Sequence, residues 1–207
     1  MNDPRQRAPS VERNREPILE LLRRILPERG LALEIASGSG EHVIYFAKYF
    51  PQLVFLPSDP DESARTSISA WIDASGLPNI LAPITLDAAA SPWPIDNAEA
   101  IICINMAHIS PWSATEGLFK EAGRLLDLGK PLYLYGPYKR GGAHTAESNQ
   151  AFDEWLRGKN PEWGLRDLER MTECAIRNGF TEPEIIEMPA NNLSLLFRRD
   201  AARSEIE

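Results

Sequence analysis

The sequence predicts an α/β fold, a doubly wound and mainly parallel sheet of seven strands with helices on both faces and a C-terminal β-hairpin. Between residues 30 and 136, apolar runs typical of strands alternate with helical patterns, as βαβ crossovers require. The run Ile101-Ile102-Cys103-Ile104 is apolar throughout, which is typical of a strand covered on both faces. A glycine loop follows the first predicted strand, where such sheets bind ligands.

The predicted elements begin with an amphipathic helix over residues 10–26, which we expect to hold Pro17 in its first turn. The five predicted strands that follow cover residues 31–36, 53–57, 80–86, 100–105 and 131–136. The remaining predicted helices cover residues 41–50, 61–75, 114–128, 148–157 and 166–178. Two short strands near residues 184–187 and 193–197, separated by a turn, predict the closing hairpin.

Composition indicates a globular protein of the cytoplasm. The chain has 207 residues, 43% of them hydrophobic and 25% charged, which is ordinary for a soluble domain. It contains no apolar run near the roughly 20 residues that span a bilayer, and residues 1–10 lack the apolar core of a signal peptide. Its two cysteines, Cys103 and Cys174, fall in a predicted strand and helix, which favours a reduced compartment.

The net charge of the chain helps to define the expected partner, which is a small-molecule substrate. The net charge of −8 weighs against nucleic acid, because binding to phosphates normally needs a basic face. We expect no membrane partner. The three histidines have no ligand-like spacing, so we expect no metal. The sequence leaves the oligomeric state open.

The segment Leu33–His42 reads LEIASGSGEH and places small residues directly after a strand. Gly38 and Gly40 allow a ligand to approach the backbone, and the helix that follows offers unpaired N–H groups. A lone Gly-x-Gly is also common in purely structural turns. The strand before the loop, the helix after it and the acidic residues downstream favour a binding site.

Two kinds of cofactor compete for this loop. A dinucleotide motif needs a third glycine three residues after Gly40, where this sequence has Val43. A pyrophosphate would gain little from Glu34 before the loop or Glu41 after it. The carboxylates instead favour a cofactor that carries a cationic amino acid group.

The loop resembles motif I of the class I S-adenosylmethionine-dependent methyltransferases. The residues that carry the match are Glu34, Ala36, Gly38 and Gly40, with Ala36 in place of the usual first glycine. The resemblance implies a Rossmann-like methyltransferase fold, S-adenosylmethionine as cofactor and S-adenosylhomocysteine as product. It also implies that these residues contact the methionine part of the cofactor.

Polar residues after later strands complete the predicted cofactor site. Asp59 lies about 20 residues past the loop and is expected to bind the ribose hydroxyls. Asp61 is the alternative, although it suits the cap of the next helix better. The resemblance places Asp87 at the adenine amino group, with a helix cap as its alternative. It places Asn105 and Met106 beside the cofactor.

The candidate catalytic residues are His108, Tyr138 and Asp167. An in-line methyl transfer requires alignment of the acceptor, and it needs a base only when the acceptor is protonated. His108 has a side chain that titrates near neutrality and would serve as that base, although a histidine bonded to a backbone carbonyl is the alternative. Capping of a helix is the alternative for Asp167.

The candidate substrate-binding residues are Arg13, Asn14, Asn149 and Arg166. Arg13 and Asn14 lie near the start of the first helix, which would fold over the cofactor as a lid. Asn149 and Arg166 lie in segments inserted where recognition elements are commonly added. Their alternatives are a helix cap for Asn149 and a surface ion pair for Arg166.

Nearly the whole chain also resembles one group of the superfamily, the methyltransferase-like family of unknown function found in bacteria and animals. The segments that carry this likeness are 12–18, 33–42, 57–59, 105–109, 135–138, 147–153 and 163–167. We expect a single domain over residues 1–207. Its parts are an N-terminal arm and helix (1–29), a cofactor-binding half (30–136), a substrate-side insertion (137–182) and a closing hairpin (183–199).

The leading hypothesis is methyl transfer from S-adenosylmethionine to a small-molecule acceptor. One alternative is a protein that binds the cofactor without catalysis, as a sensor or partner. A weaker alternative is a nicotinamide dehydrogenase, which would need a Tyr-x-x-x-Lys pair on a helix. Here Tyr135 and Lys139 have that spacing, but they flank a Gly-Pro turn at the end of a strand.

Overall fold

The computed structural model describes residues 3–200, so the two ends of the predicted domain lie outside the described residues. Its helices are α1 (Pro9–Ile25), α2 (Glu41–Ala47), α3 (Glu62–Ser75), α4 (Trp112–Leu125), α5 (Glu147–Lys159) and α6 (Leu168–Arg177). Its strands are β1 (Gly30–Ile35), β2 (Leu53–Pro57), β3 (Ala100–Ile104), β4 (Pro131–Gly136), β5 (Tyr138–Arg140), β6 (Ala143–His144), β7 (Arg166–Asp167), β8 (Glu184–Met188) and β9 (Asn192–Arg198). In the part of the chain described, no helix is both long and apolar enough to cross a membrane.

The main sheet has the strand order β2-β1-β3-β4-β9-β8. Strands β2, β1, β3 and β4 are parallel, whereas β9 pairs antiparallel with both β4 and β8. The predicted α/β fold, its mainly parallel sheet and its C-terminal hairpin are therefore confirmed.

Helices cover both faces of this sheet, and alternate residues of β3 enter two different cores. Ile101 and Cys103 pack in the core that contains side chains of α4 and α6. Ile102 and Ile104 pack in the core that contains side chains of α1 and α2. Burial on both faces explains why this strand is apolar at every position.

The main sheet has six strands rather than the predicted seven. The predicted third strand, which runs beside β2, forms two isolated parallel bridges, Phe55–Ile80 and Ser58–Ile84, instead of a continuous ladder. Pro83 lies between the two bridges and has no N–H to donate, so it interrupts the pairing. The segment thus occupies the edge of the sheet without forming a strand.

Two other local predictions need correction. The first helix starts at Pro9, so Pro17 lies inside it rather than in its first turn. The predicted helix from residue 166 starts at Leu168, because the two preceding residues form β7 and pair with β5. With β6, these strands make a small second sheet of order β6-β5-β7, which the sequence analysis did not predict.

Candidate cofactor-binding site

A cavity of about 800 Å³ opens at the carboxyl ends of β1, β2 and β3. Ligands of open α/β sheets bind at this edge. The volume falls within the usual range of small-molecule sites. The lining residues are Ala8, Ser10, Val11, Ile35, Ala36, Ser37, Gly38, Ser39, His42, Asp59, Pro60, Asp61, Leu86, Asp87, Ala88, Ala89, Ile104, Asn105, Met106, Ile109, Ser110, Pro111, Ser113, Ala114 and Trp163.

The glycine loop after β1 turns through left-handed backbone conformations. Ala36, Gly38 and Gly40 have φ angles of +53°, +57° and +88°. A Cβ atom at Gly40 would lie 2.9 Å from the Cα of Ile68, so only glycine fits there. Ala36 and Gly38 line the cavity, whereas Gly40 precedes α2 as its N-cap and does not. The loop therefore presents its backbone to the cavity.

Asp59 ties the end of β2 to the glycine loop. Its Oδ2 accepts a hydrogen bond from the N–H of Gly38 at 3.0 Å, and its Oδ1 accepts from the N–H of Asp61 at 3.0 Å. Asp61 in turn caps α3, since its side chain accepts from the N–H groups of Ser63 and Ala64. The predicted cap is therefore confirmed, and both aspartates line the cavity.

Glu34 is a buried carboxylate directly before the lining residues of β1. It is 2% exposed, and its Oε2 has no hydrogen-bond partner within residues 3–200. Burial raises the pKa of Glu34 to about 7, with a further increase from Asp59 and an opposing hydrogen bond from Ser37. Glu34 does not itself line the cavity. One oxygen of this buried acidic group thus lacks a partner in the described part of the chain, directly before the glycine loop.

The other three predicted cofactor residues lie on the cavity lining. Asp87 is exposed, and its Oδ1 accepts from the N–H of Ala89 at 2.9 Å, which orders the local turn. Asn105 has a φ of +65° at the end of β3, a conformation that asparagine tolerates better than most residues. The sulfur of Met106 accepts a hydrogen bond from Ser110 Oγ at 3.1 Å.

Two predicted catalytic side chains are enclosed in the interior and lie outside the cavity lining. His108 is buried with its ring edge-on to Phe152, and its Nδ1 has no partner among the described residues. Burial, with a contribution from Arg166, lowers the pKa of His108 to about 3. The Tyr138 hydroxyl is also buried, and burial raises its pKa well above the ordinary value. These positions give no support for catalytic roles.

The remaining predicted catalytic residue, Asp167, lies in β7 and accepts a hydrogen bond from the N–H of Gly142 at 2.6 Å. This contact orders the turn between β5 and β6, and Asp167 does not line the cavity. Six of the eight predicted cofactor residues therefore line one cavity, whereas Glu34, Gly40 and the three predicted catalytic residues do not.

The predicted substrate-binding residues make structural contacts instead of lining the cavity. Asn149 donates from its amide to Thr145 Oγ1 and to the carbonyl of Asn191, each at 3.0 Å. This clamps the start of α5 to the turn before β9. Arg13 is exposed near Tyr135; burial raises the pKa of that tyrosine, and the charge of Arg13 partly offsets the rise.

Arg166 is the predicted substrate-binding residue that contacts segments of the cavity lining. Its guanidinium donates to the carbonyl of Ala107 at 2.7 Å, to that of Ser110, and to that of Glu162 at 3.2 Å. It therefore joins the segment after β3 to the loop that carries Trp163, both of which line the cavity. The alternative of a surface ion pair is wrong for Arg166.

Sequence reasoning missed His42 as a cavity residue. His42 lies in the first turn of α2, and its Nε2 is 2.8 Å from Asn14 Oδ1. Burial, with a contribution from Arg15, lowers the pKa of His42 to about 4, so the imidazole is neutral near pH 7. The signal was present, because His42 ends the LEIASGSGEH segment next to the loop.

The N-terminal arm covers one side of the cavity. The N–H of Ala8 donates to Glu41 Oε2 at 2.7 Å, and Ser39 Oγ donates to the same oxygen at 3.0 Å. Farther out, the N–H of Gln6 donates to Ser67 Oγ on α3 at 2.8 Å. These contacts place Ala8, Ser10 and Val11 on the lining.

The charges around the cavity suit a cationic ligand. In the part of the chain described, the charged side chains on the lining are Asp59, Asp61 and Asp87, with no lysine or arginine. Unpaired Glu34 adds a fourth acidic group nearby. S-adenosylmethionine carries a sulfonium, an ammonium and one carboxylate group, and its net positive charge fits the acidic lining. Within residues 3–200, no group of side chains has the arrangement of a metal site.

The architecture is the fold of the S-adenosylmethionine-dependent methyltransferases. It superposes on an O-methyltransferase family protein from Burkholderia thailandensis with a TM-score of 0.78 at 14% identity, covering 93% of this chain and 58% of that one. For human N-acetylserotonin methyltransferase in complex with S-adenosylmethionine, the TM-score is 0.74 at 13% identity, with 93% and 53% coverage. The chain therefore spans little more than half the length of these two proteins.

A third similar structure matches over its full length. For the YcgJ protein of Bacillus subtilis, the TM-score is 0.69 at 14% identity, with coverage of 92% of this chain and 100% of that one. At such identities the likeness shows the fold. Residues 5–199 match the family described as "Protein of unknown function (DUF938)", and the chain belongs to this family.

Proposed function

We propose that this protein transfers a methyl group from S-adenosylmethionine to a small-molecule acceptor and releases S-adenosylhomocysteine. The supporting observation is the cavity at the carboxyl ends of β1, β2 and β3, where a left-handed glycine loop meets a lining whose charged groups are carboxylates. Its position matches the ligand edge of the fold.

Each part of the lining has a role in this proposal. The backbone at Ala36 and Gly38 would contact the methionine part of the cofactor, and Asp59 and Asp87 would bind the ribose and adenine. Unpaired Glu34 would favour the ammonium group from its place directly before the loop.

S-adenosylmethionine supplies a methyl group whose carbon–sulfur bond breaks, with its electron pair passing to sulfur, as the acceptor's lone pair bonds to the methyl carbon. The chain's task is to align the acceptor and exclude water. Residues of the N-terminal arm line the cavity, and Arg166 fixes the two segments that contribute Ile109, Ser110 and Trp163 to the lining. A proton lost by the acceptor passes to solvent.

Calorimetric titration with S-adenosylmethionine, S-adenosylhomocysteine and NAD tests the cofactor assignment. We expect both adenosyl ligands to bind and NAD to fail. The variant Asp87→Asn should weaken binding about tenfold, since it removes one charged hydrogen-bond acceptor. The matched variant Asp73→Asn, on the exposed side of α3, should bind normally. No binding of either adenosyl ligand would refute the proposal.

A cofactor-binding protein without catalysis is the second candidate. It is favoured by the placement of His108, Tyr138 and Asp167 outside the cavity lining. It predicts that both adenosyl ligands bind, but that small-molecule alcohols, thiols and amines cause no formation of S-adenosylhomocysteine. Methyl transfer to any of these acceptors would exclude it.

A further inference from the structure

Part of the cavity wall is apolar and lies away from the predicted cofactor contacts. It comprises Ile109, Pro111 and Ala114, which follow β3, together with Trp163 from the loop after α5. Ile109 is 42% exposed and Trp163 is partly exposed, so both side chains are accessible to a ligand. We refer to these four residues as the Trp163 wall.

The Trp163 wall is held together from behind. Arg166 donates hydrogen bonds to the carbonyls of Ala107 and Ser110 on one side and of Glu162 on the other. The N–H of Gly164 also donates to the carbonyl of His108 at 3.0 Å. Segments more than 50 residues apart in sequence are thereby fixed as one surface. A surface built this way is preorganised for a ligand.

The hydrogen bonds of Arg166 also determine which ligand charge the Trp163 wall favours. The Arg166 guanidinium is directed at backbone carbonyls, so it does not present its charge to the cavity lining. The lining itself carries carboxylates, a neutral His42 and, among the described residues, no lysine or arginine. An acceptor with a carboxylate or phosphate would meet repulsion without a compensating cation.

Uncharged polar groups are available beside the wall. The single O–H of Ser110 is shared between the carbonyl of Met106, at 2.8 Å, and the Met106 sulfur, which leaves the Ser110 oxygen able to accept a hydrogen bond. Neutral His42 also lines the cavity. These groups can accept from an O–H or N–H of the ligand.

We propose that the Trp163 wall is the acceptor subsite and that it takes an acceptor with a flat, apolar ring and an uncharged hydroxyl or amino nucleophile. The ring packs on Trp163, and the nucleophile reaches the cofactor side of the cavity. This inference rests on the proposed function for the identity of the reaction, but the binding preference can be tested without turnover.

The test uses two naphthalene probes that differ in charge at pH 7, 2-naphthol and 2-naphthoate. Their dissociation constants are measured by ligand-observed NMR, with and without saturating S-adenosylhomocysteine. We expect 2-naphthol to bind at least about tenfold more tightly than 2-naphthoate, because the carboxylate is repelled.

Variants of Trp163 test whether 2-naphthol binds at the Trp163 wall. Trp163→Ala should weaken 2-naphthol binding about tenfold, because the probe loses both the contact with the indole ring and the apolar area buried against it. Trp163→Phe should restore most of the affinity. Trp155→Ala is the matched control, because Trp155 is 56% exposed on α5 and does not line the cavity. Circular dichroism confirms that each variant is folded.

Tighter binding of 2-naphthoate, or unchanged 2-naphthol binding by folded Trp163→Ala, would overturn the inference. Failure of the proposed function gives a different result. In that case S-adenosylhomocysteine would not bind the wild type, whereas the preference for 2-naphthol and its loss in Trp163→Ala would persist without it.

Discussion

The Nε2–H of His42 donates a hydrogen bond of 2.8 Å to Asn14 Oδ1, which joins α1 to the helix that follows the glycine loop. An amide oxygen can only accept, so Nε2 carries the proton and Nδ1 is the accepting nitrogen. Burial raises the pKa of Tyr135 at the end of β4, and nearby Asn14 partly offsets that rise. The contact between His42 and Asn14 fixes a neutral imidazole on the lining of the proposed cofactor cavity.

The first prediction concerns the protonation of His42. Its pKa is lowered to about 4 by burial and Arg15, whereas a histidine in the unfolded chain titrates near 6.5. Between these values the unfolded chain binds more protons, so the free energy of unfolding falls as pH falls through this window. Relative to His42→Gln, the wild type should lose about 2 kcal/mol between pH 7 and pH 5 in urea unfolding. An equal loss in both proteins would contradict this.

The second prediction concerns Glu34, whose pKa is raised to about 7 by burial. The folded chain therefore keeps a proton that the unfolded chain releases near pH 4.5, and stability is lost as pH rises through 4.5 to 7. The stability of Glu34→Gln relative to the wild type should rise by about 2 kcal/mol between pH 5 and pH 8. Glu28→Gln, at an exposed site, should show no such rise. A flat difference for Glu34→Gln would refute the assignment of a buried, unpaired carboxyl.

The third prediction concerns Ala36, which has a φ of +53° where methyltransferase loops usually have glycine. The left-handed conformation costs a residue with a Cβ roughly 1–2 kcal/mol. Ala36→Gly should therefore raise the free energy of unfolding by about 1 kcal/mol. The opposite sign is expected for Ala70→Gly within α3, because glycine weakens helices. Chemical denaturation measures the free energy of unfolding of both variants. A lower free energy of unfolding for Ala36→Gly than for the wild type would contradict this prediction.

The fourth prediction concerns Arg166, which bonds three backbone carbonyls in two separate segments. Arg166→Ala leaves these acceptors without their charged donor and should lower stability by about 2 kcal/mol. Hydrogen exchange at the N–H of Gly164 should also become faster, because the loop loses its attachment. Arg177→Ala removes a side chain that is 71% exposed and should leave both measurements unchanged. Equal behaviour of the two variants would show that the clamp contributes nothing.

Much of the fold could be predicted because its signals are local. The six residues of β4 have the predicted bounds, and the apolar run of β3 identified a strand covered on both faces. The edge segment was harder, since its apolar residues resemble a strand while Pro83 breaks the ladder. The small second sheet pairs β5 with β7, which lie more than 20 residues apart, and no local pattern shows such pairing.

The part of the cavity formed by the glycine loop could also be predicted, because the end of a strand followed by a left-handed turn gives a clear sequence pattern. The interior positions of His108 and Tyr138 could not. A polar residue just beyond a strand looks functional in sequence, but the packing of α5 and of the second sheet encloses both side chains. The pairing of Asn14 with His42 spans 28 residues and depends on how α1 docks on α2.

The most direct test of the proposed cofactor site uses the methionine methyl groups as NMR probes. The chain has four methionines, of which Met106 lines the cavity. Met171 lies inside one hydrophobic core, and Met188 packs against the other. The protein is labelled with ¹³C at the methionine methyls, and Met106→Leu assigns the Met106 signal. On titration with S-adenosylhomocysteine, we expect the Met106 signal to shift and those of Met171 and Met188 to stay in place. An unmoved Met106 signal at saturating ligand would contradict the proposal that this cavity binds the cofactor.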